Sequence, residues 1–331
     1  MGWDSGVSAI VVNYNSGHDL RTCVMSLVNQ TGLNEIIVVD NGSSDESVSI
    51  ATSAFPDIHV ISNRVNDGFA GGANLGATAA RSDVLLFLNP DVIVQPECVR
   101  ALSDAIRESE GPVVCAPLIE AASVGLTEHG FTIDLLGDLL ALELPGIPLY
   151  LSGCALAIGR GLFTNLGGFD SSYFMFCEDL DLCWRALLTG SRLSVVPEAR
   201  VVHRGGGSTP GGYIRDGQIE VTTFRIALRE RNGLATLIKC GPALWLIAVI
   251  PLRVVRMALA CGMAVLFRRF DLAAALARGF SWDVARLPQL LDQRAKLRAS
   301  NRMRRVILRE RISHDVVSLQ TLLRHGLPRF V

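Results

Sequence analysis

Several familiar signatures are missing from this chain of 331 residues. Its eight cysteines (Cys23, Cys98, Cys115, Cys154, Cys177, Cys183, Cys240 and Cys261) contain no CxxC pair and no Cys/His spacing of a zinc site. Scattered among apolar neighbours, they read as reduced, buried thiols of a cytosolic chain. No GxGxxG follows a strand and no GxxxxGK[ST] occurs, which excludes a dinucleotide fingerprint and a P-loop. The N-terminus, MGWDSG, runs into a strand without a basic or apolar leader, so no signal peptide is expected. Positive charge is scarce in the first 239 residues, which hold 15 Lys+Arg against 27 Asp+Glu, a net of −12. Such a surface argues against nucleic acid as the main partner. From Cys240 onward the balance reverses to 16 against 5, or +11.

What is present is an alternation of strand, polar loop and helix. Val7 to Val12 is an apolar run ending in Asn13-Tyr14-Asn15-Ser16, and Leu20, Val24, Leu27 and Val28 then recur at helical spacing. Glu35 to Asp40 forms a second strand, with a helix after Asp45, and Ile58 to Ser62 a third. Val84 to Leu88 and Val113 to Ala116 add more, and Leu151 to Ile158 is read as another strand. Continuous apolar strands separated by helices predict an α/β, mostly parallel sheet covered on both faces. Ligands are expected at the carboxyl ends of its strands.

Polar residues gather at those ends. The loop NRVNDGFAGGANLGA, residues 63 to 77, is rich in glycine, and a helix starting near Gly71 would aim backbone N–H groups at a phosphate. After Leu88 comes Asn89-Pro90-Asp91, where a strand-end carboxylate suits a divalent cation, although the same tripeptide is good turn chemistry. His203 follows a short extended run and precedes Gly205-Gly206-Gly207. It reads as a loop histidine or as a metal ligand on a mobile loop. In FMFCEDLDLCWR, residues 174 to 185, a buried apolar stretch leads into a helix beginning near Cys177. Glu178 and Asp179 then fall in its first turn, which the helix dipole favours for acids.

Asp40, the NDGFAGGAN loop, Asn89-Pro-Asp91, the Gly167-Gly-Phe-Asp170 turn and the Glu178-Asp179 helix occur in an order that resembles family-2 inverting glycosyltransferases. The likeness is closest to bacterial rhamnosyltransferase-type members and covers roughly residues 7 to 230. It implies a GT-A fold, with a nucleotide-sugar half over residues 1–115, an acceptor half over 116–230 and a helical C-terminal region over 231–331. It also implies that Asn13 and Asn15 lie beside the nucleotide, that Asp40 reaches the base or ribose, and that Gly72 and Asn74 line the nucleotide-sugar loop. Asp91 matches the second acid of the family's Asp-X-Asp motif, while Asn89 stands where the first acid is expected, making the site less anionic. Asp179 matches the catalytic base, Glu178 its neighbour, and His203 a histidine that completes the metal site in some relatives. The partners implied are a nucleotide-diphosphate sugar, a divalent cation (Mg²⁺ or Mn²⁺) and a lipid-linked or surface-glycan acceptor. A nucleotidyltransferase and a catalytically silent sugar-nucleotide-binding module are the competing readings.

The tail is apolar and then basic. CGPALWLIAVIPL and MALACGMAVLF are separated by Arg253 and Arg256, and each run is shorter than the about 18 residues of a spanning helix. Pro242 and Pro251 also argue against one long helix. The expectation is an interfacial or re-entrant pair at the cytoplasmic face of the inner or plasma membrane, followed by a basic stretch from Arg294 to Arg311 and a last amphipathic segment. A helical arm for homo-oligomerisation is the alternative.

Overall fold

The computed structural model describes residues 4–122, 125–142, 144–205, 213–215, 218–299 and 329–330. Gly206 to Ser208, the basic residues beyond 299 and the last amphipathic segment lie outside them. The chain divides into two compact units, one of residues 1–131 with 141–209 and one of residues 132–140 with 210–331.

The first unit is built on a nine-stranded sheet. In chain order come β1 (Asp4–Asn13), α1 (His18–Leu27), β2 (Leu33–Asp40), α2 (Ser47–Ala54), β3 (His59–Ser62), α3 (Gly68–Ala79) and β4 (Ser82–Leu88). Strands β1 to β4 are mutually parallel in the order β3-β2-β1-β4. The Val, Ile and Leu runs of β1, β2 and β4 are largely buried on both faces, as their lack of alternation predicts, while β3 at the edge is only half-buried. Further on lie β5 (Val92–Val94), α4 (Cys98–Arg107), β6 (Val113–Ala121), β7 (Leu126–Glu128) and β10 (Ala155–Gly159), while the two-stranded sheet of β8 (Phe131–Ile133) and β9 (Leu139–Ala141) lies mostly within the 132–140 segment of the second unit. The first unit is completed by α5 (Arg160–Asn165), α6 (Glu178–Leu188) and β11 (Arg192–His203).

Strand β10 runs antiparallel between β4 and β6, so the sheet is mixed from that point, and β11 lies parallel to β6. The strand expected from Leu151 begins only at Ala155, because Leu151 to Cys154 are buried as a turn approaching the sheet edge. The two short runs expected around Val195 and Val201 are one strand, broken in register between Val196 and Arg200.

Helix α6 is enclosed: every residue from Glu178 to Leu187 is buried. That places Asp181 in the core, where a lone carboxylate is costly. Arg185, one turn later, donates through Nε to Asp181 Oδ2 at 2.7 Å and through its terminal nitrogens to the carbonyls of Leu166 (2.6 Å) and Gly168 (2.8 Å). One side chain therefore neutralises the acid and ties α6 to the turn after α5.

In the second unit, β12 (Tyr213–Arg215), β13 (Gln218–Val221) and β14 (Arg329–Phe330) form a small sheet. Helices α7 (Thr223–Cys240), α8 (Ala243–Leu266) and α9 (Phe270–Ala299) follow β13. Thr222 caps α7 by accepting the N–H of Arg225 at 3.2 Å. The re-entrant pair expected in the tail is a single helix, since α8 is continuous through Pro251. Pro242 precedes it as N-cap, where a missing N–H costs nothing, and Pro251 sits on an exposed face. By length and composition α8 suffices to cross a membrane.

Replacing Arg185 with Met should lower stability by about 3–5 kcal/mol in urea unfolding, because Asp181 is left charged and buried. The double replacement Arg185→Met with Asp181→Leu should recover much of that loss.

Candidate active site

At the carboxyl edge of the parallel strands, β1 and β2 are in register with Asn13 opposite Asp40. Asn13 is fully buried, and its Nδ2 donates to Asp40 Oδ1 (3.2 Å), Ser43 Oγ (3.1 Å) and Ser47 Oγ (3.0 Å). Asn15, at φ 48°, accepts the N–H of Ser44 at 2.8 Å. The two asparagines therefore shape the loop after β2 and hold Asp40 at its lip. Asp40 is half-buried, with Oδ1 also accepting the N–H of Ser43 at 3.3 Å.

The glycine-rich loop differs from its expected form. Helix α3 begins at Gly68, three residues early, and two N–H groups of its first turn are already used: Gly68 donates to Asn66 Oδ1 (2.9 Å) and Ala70 to the Phe174 carbonyl (3.2 Å). Gly72 packs against Val12 and Asn41, where a Cβ would approach within 2.7 Å of Val12. Asn74 exchanges two hydrogen bonds with the backbone of Phe169, at 2.8 and 2.9 Å, and reaches Ser171 Oγ at 3.0 Å. In this structure both residues join α3 to its surroundings, and the side chain of Asn74 is engaged with the GGFD turn.

Beyond β4, the Asn89 N–H donates to the Cys154 carbonyl at 2.9 Å, which joins the Asn-Pro-Asp turn to the start of β10. Asp91 is buried, with Oδ2 3.3 Å from His203 Nε2. Its Oδ1 is buried without a hydrogen-bond partner. The Arg204 N–H also donates to the Asp91 carbonyl at 3.1 Å. His203 is thereby fixed on Asp91 by the end of β11. Among the described residues no set of three His, Cys, Asp or Glu side chains gathers as a metal cluster. An orphaned carboxylate oxygen beside an imidazole nitrogen nevertheless fits a divalent cation that takes its other ligands from phosphate and water.

Close to the Asn-Pro-Asp turn stands the acidic pair. Asp179 Oδ2 accepts the Tyr150 hydroxyl and the Gly153 N–H, each at 2.7 Å, while Oδ1 accepts the Leu180 N–H at 2.8 Å. Gly153 is required by this approach, since a Cβ there would lie 2.9 Å from Asp179 Oδ2. Burial pushes the Asp179 carboxyl up, and the three donors pull it partly back. Glu178 is pushed well above the usual range by burial and then by its negative neighbour, and its Oε2 has no partner. Of the two, Asp179 has the donors that favour its charged form, while Glu178 is driven further toward its neutral form. Burial also holds Tyr150 well above its ordinary value, reinforced by Asp179, so it remains a donor.

Comparison with known proteins places this geometry. The profile described as Glycosyl transferase family 2 matches residues 8–159, which contain the β1, β2 and β4 edges and the Asn-Pro-Asp turn. Residues 8–159 are thus similar to glycosyltransferase family 2. A hexosyltransferase of low-salt glycan biosynthesis from Haloferax volcanii is 28% identical over 194 residues, covering 54% of this chain and 61% of that protein. The N-acetylglucosaminyl-diphospho-decaprenol L-rhamnosyltransferase of Mycobacterium tuberculosis is 28% identical over 234 residues, covering 60% and 76%. In fold, the chain is similar to GalNAc-T7 solved with UDP, GalNAc and Mn²⁺, at TM-score 0.58 and 19% identity over 71% of this chain and 48% of that one. A mannosyltransferase from Pyrobaculum calidifontis with GDP-Man and Mn²⁺ has TM-score 0.50 and 16% identity, covering 91% and 89%. The GT-A architecture expected from the motif order is the one observed.

Three contributors to the site escape sequence reasoning. Tyr150 and Gly153 lie in or beside a stretch read as a variable connection, and no local pattern marks a tyrosine as partner of a carboxylate 29 residues on. Glu128, on β7, is held above its usual range by burial, partly offset by His203. Its proximity to His203 arises because β7 and β11 both flank β6. The segment Phe174 to Phe176, expected to end a buried run, is instead a half-buried turn. Its Phe174 and Phe176, with Cys177, have φ of 65°, 68° and 64°.

Tyr150→Phe should raise the pKa of Asp179 further, since the lost donor stabilised the carboxylate. The infrared carboxyl band should then titrate at higher pH than in the wild type. An unchanged titration would show that Tyr150 only packs.

Proposed function

We propose that this chain is an inverting glycosyltransferase that moves a hexosyl or deoxyhexosyl unit, such as rhamnosyl, from a nucleotide-diphosphate sugar to a lipid-linked or surface-glycan acceptor. The observation that carries the reading is a single buried carboxylate, Asp179, held by Tyr150 and Gly153 near the strand edge that bears Asp91. As the acceptor hydroxyl attacks the anomeric carbon, Asp179 takes its proton. A new carbon–oxygen bond forms on one face while the bond to the diphosphate oxygen breaks on the other, which inverts the centre without an enzyme nucleophile. A carboxylate so placed contributes roughly 10²–10⁴ in rate. Desolvation has raised its basicity, while the bonds from Tyr150 and Gly153 fix its orientation.

On the donor side, Asp40 and Asn15 border the nucleotide, and Asn13 acts through Asp40 by fixing its loop. Gly72 keeps α3 close to β1, and Asn74 holds the GGFD turn against α3. Asp91 and His203, with Asn89 beside them, hold the divalent cation, which when bound offsets charge on the departing diphosphate. The Mycobacterium relative is named for a decaprenol-linked acceptor. That name and the apolar helix α8 support an acceptor presented at the cytoplasmic face of a membrane.

Asp179→Asn should fold, keep near wild-type affinity for donor and lose at least about 10² in turnover, since the base acts only as the acceptor proton leaves. Near-full turnover in this variant removes Asp179 from the role. Asp91→Ala should weaken nucleotide-sugar binding in Mn²⁺ or Mg²⁺ and change it little in EDTA, by calorimetry. An equal loss in both would make Asp91 a turn residue or a direct contact.

A further inference from the structure

Helix α8 contains two arginines that look, in sequence, like interruptions of its apolar character. In the fold they are turned inward. Arg253 is only 5% exposed, and its guanidinium lies 3.2 Å from Glu230 of α7 and 3.7 Å from Asp138 in the β8–β9 turn. Arg256 pairs with both oxygens of Glu230, each at 2.9 Å, and with Asp138 Oδ2. Arg253 also donates to the carbonyls of Leu136 and Gly137, both at 3.4 Å. Two cations thus meet two carboxylates on the inner side of the helix. Burial would raise Asp138 and Glu230, but the arginines outweigh it and hold both below their ordinary values. The cluster is ionised and charge-balanced.

The consequence lies on the opposite side. Every exposed position of α8 is aliphatic, methionine, glycine or proline, including Leu244 (85% exposed), Leu259 (65%) and Leu266 (71%). Just past its end, exposed Phe267 and Phe270 flank exposed Arg268. We propose that this face of α8 lies flat in the headgroup–acyl boundary of an anionic bilayer, so that the helix rests on the membrane and does not cross it. The inference deepens the membrane side of the proposed function and does not depend on sugar transfer.

Two observations favour lipid in this orientation. A surface shared with a second protein copy carries hydrogen-bonding groups at about one per 100–200 Å², whereas this face has no polar side chain along its length. Its aromatic and arginine border suits the water–lipid boundary, where Arg268 meets anionic headgroups. Crossing is disfavoured because Arg253 lies near the midpoint of the 24-residue helix. A spanning α8 would carry Arg256, Glu230 and Asp138 with it into hydrocarbon.

The test uses the full-length protein and sealed vesicles of phosphatidylcholine with phosphatidylglycerol. Wild type should float with the vesicles at least about ten-fold more than Val255→Glu/Leu259→Glu, whose changed positions are exposed and leave the fold intact by circular dichroism. In a Cys261→Ser background the remaining native cysteines are buried. There, Ala243→Cys at the start of α8 and Ala274→Cys early in α9, beyond the other end of α8, should both react with an impermeant maleimide added outside. Labelling at one end only overturns the proposal in favour of a span. Absence of flotation, with a dimer that the double variant makes monomeric, overturns it in favour of a second copy. Thermal shifts with UDP and GDP on the same samples report separately on the transferase reading.

Discussion

The carboxyl group of Asp179, buried and yet faced by three donors, is the constraint on which the site depends. A bare carboxyl in that position would take up a proton, because desolvation disfavours its charge. The Tyr150 hydroxyl and the N–H groups of Gly153 and Leu180 oppose this. The donors come from the segment before β10 and from α6 itself, so the charge state of one residue requires those two parts of the sheet edge to be correctly assembled. Glu178 shows the contrast: equally buried but without a partner for Oε2, it is pushed further toward its neutral form. Adjacent acids in the first turn of one helix are driven apart in acidity by what surrounds them.

The helix that bears the pair is secured from its other end. Arg185 answers Asp181 inside the core and spends its remaining donors on the carbonyls of Leu166 and Gly168. The turn so anchored continues into Phe169, whose backbone is clasped by Asn74 of α3. A chain of side-chain-to-backbone bonds therefore runs from α6 through the GGFD turn to the glycine-rich helix. The order of these motifs along the chain is thus also an order of physical attachment.

Much of the fold was legible because its signals are local. Val7 to Val12, Glu35 to Asp40 and Val84 to Leu88 are continuous apolar runs, and each is a buried parallel strand ending in polar residues. Glu178 and Asp179 were legible as helix-start acids for the same reason. What was not legible depends on pairing between distant segments. Tyr150 meets Asp179 only because β10 inserts antiparallel beside β4, and Glu128 nears His203 only through the shared neighbour β6. Asn74 illustrates the converse: its motif marks it as a donor-loop residue, while its partner, the Phe169 backbone, lies 95 residues away. In the tail, counting charges along the chain divided α8 at Arg253, although the helix has sides and its charges all fall on one of them.

The turn before α6 joins these threads. Phe174, Phe176 and Cys177 all occupy the left-handed region, which costs non-glycine residues on the order of 1–3 kcal/mol each and persists only where the surroundings enforce it. Enforcement is visible at Phe174, whose carbonyl accepts the Ala70 N–H at the start of α3 and sits where a Cβ on Gly68 would lie 2.1 Å away. Gly68 is itself at φ 71°, so a side chain there would meet both a strained backbone and a filled space. The glycine-rich loop consequently owes at least this glycine to the turn before α6, not to a phosphate. Since that turn ends at Cys177, the residue before the acidic pair, a displacement of the start of α3 must act on the backbone that places Asp179. The glycine-rich helix and the acidic pair are therefore joined through one packed turn, and their proximity in the fold is built into the backbone itself.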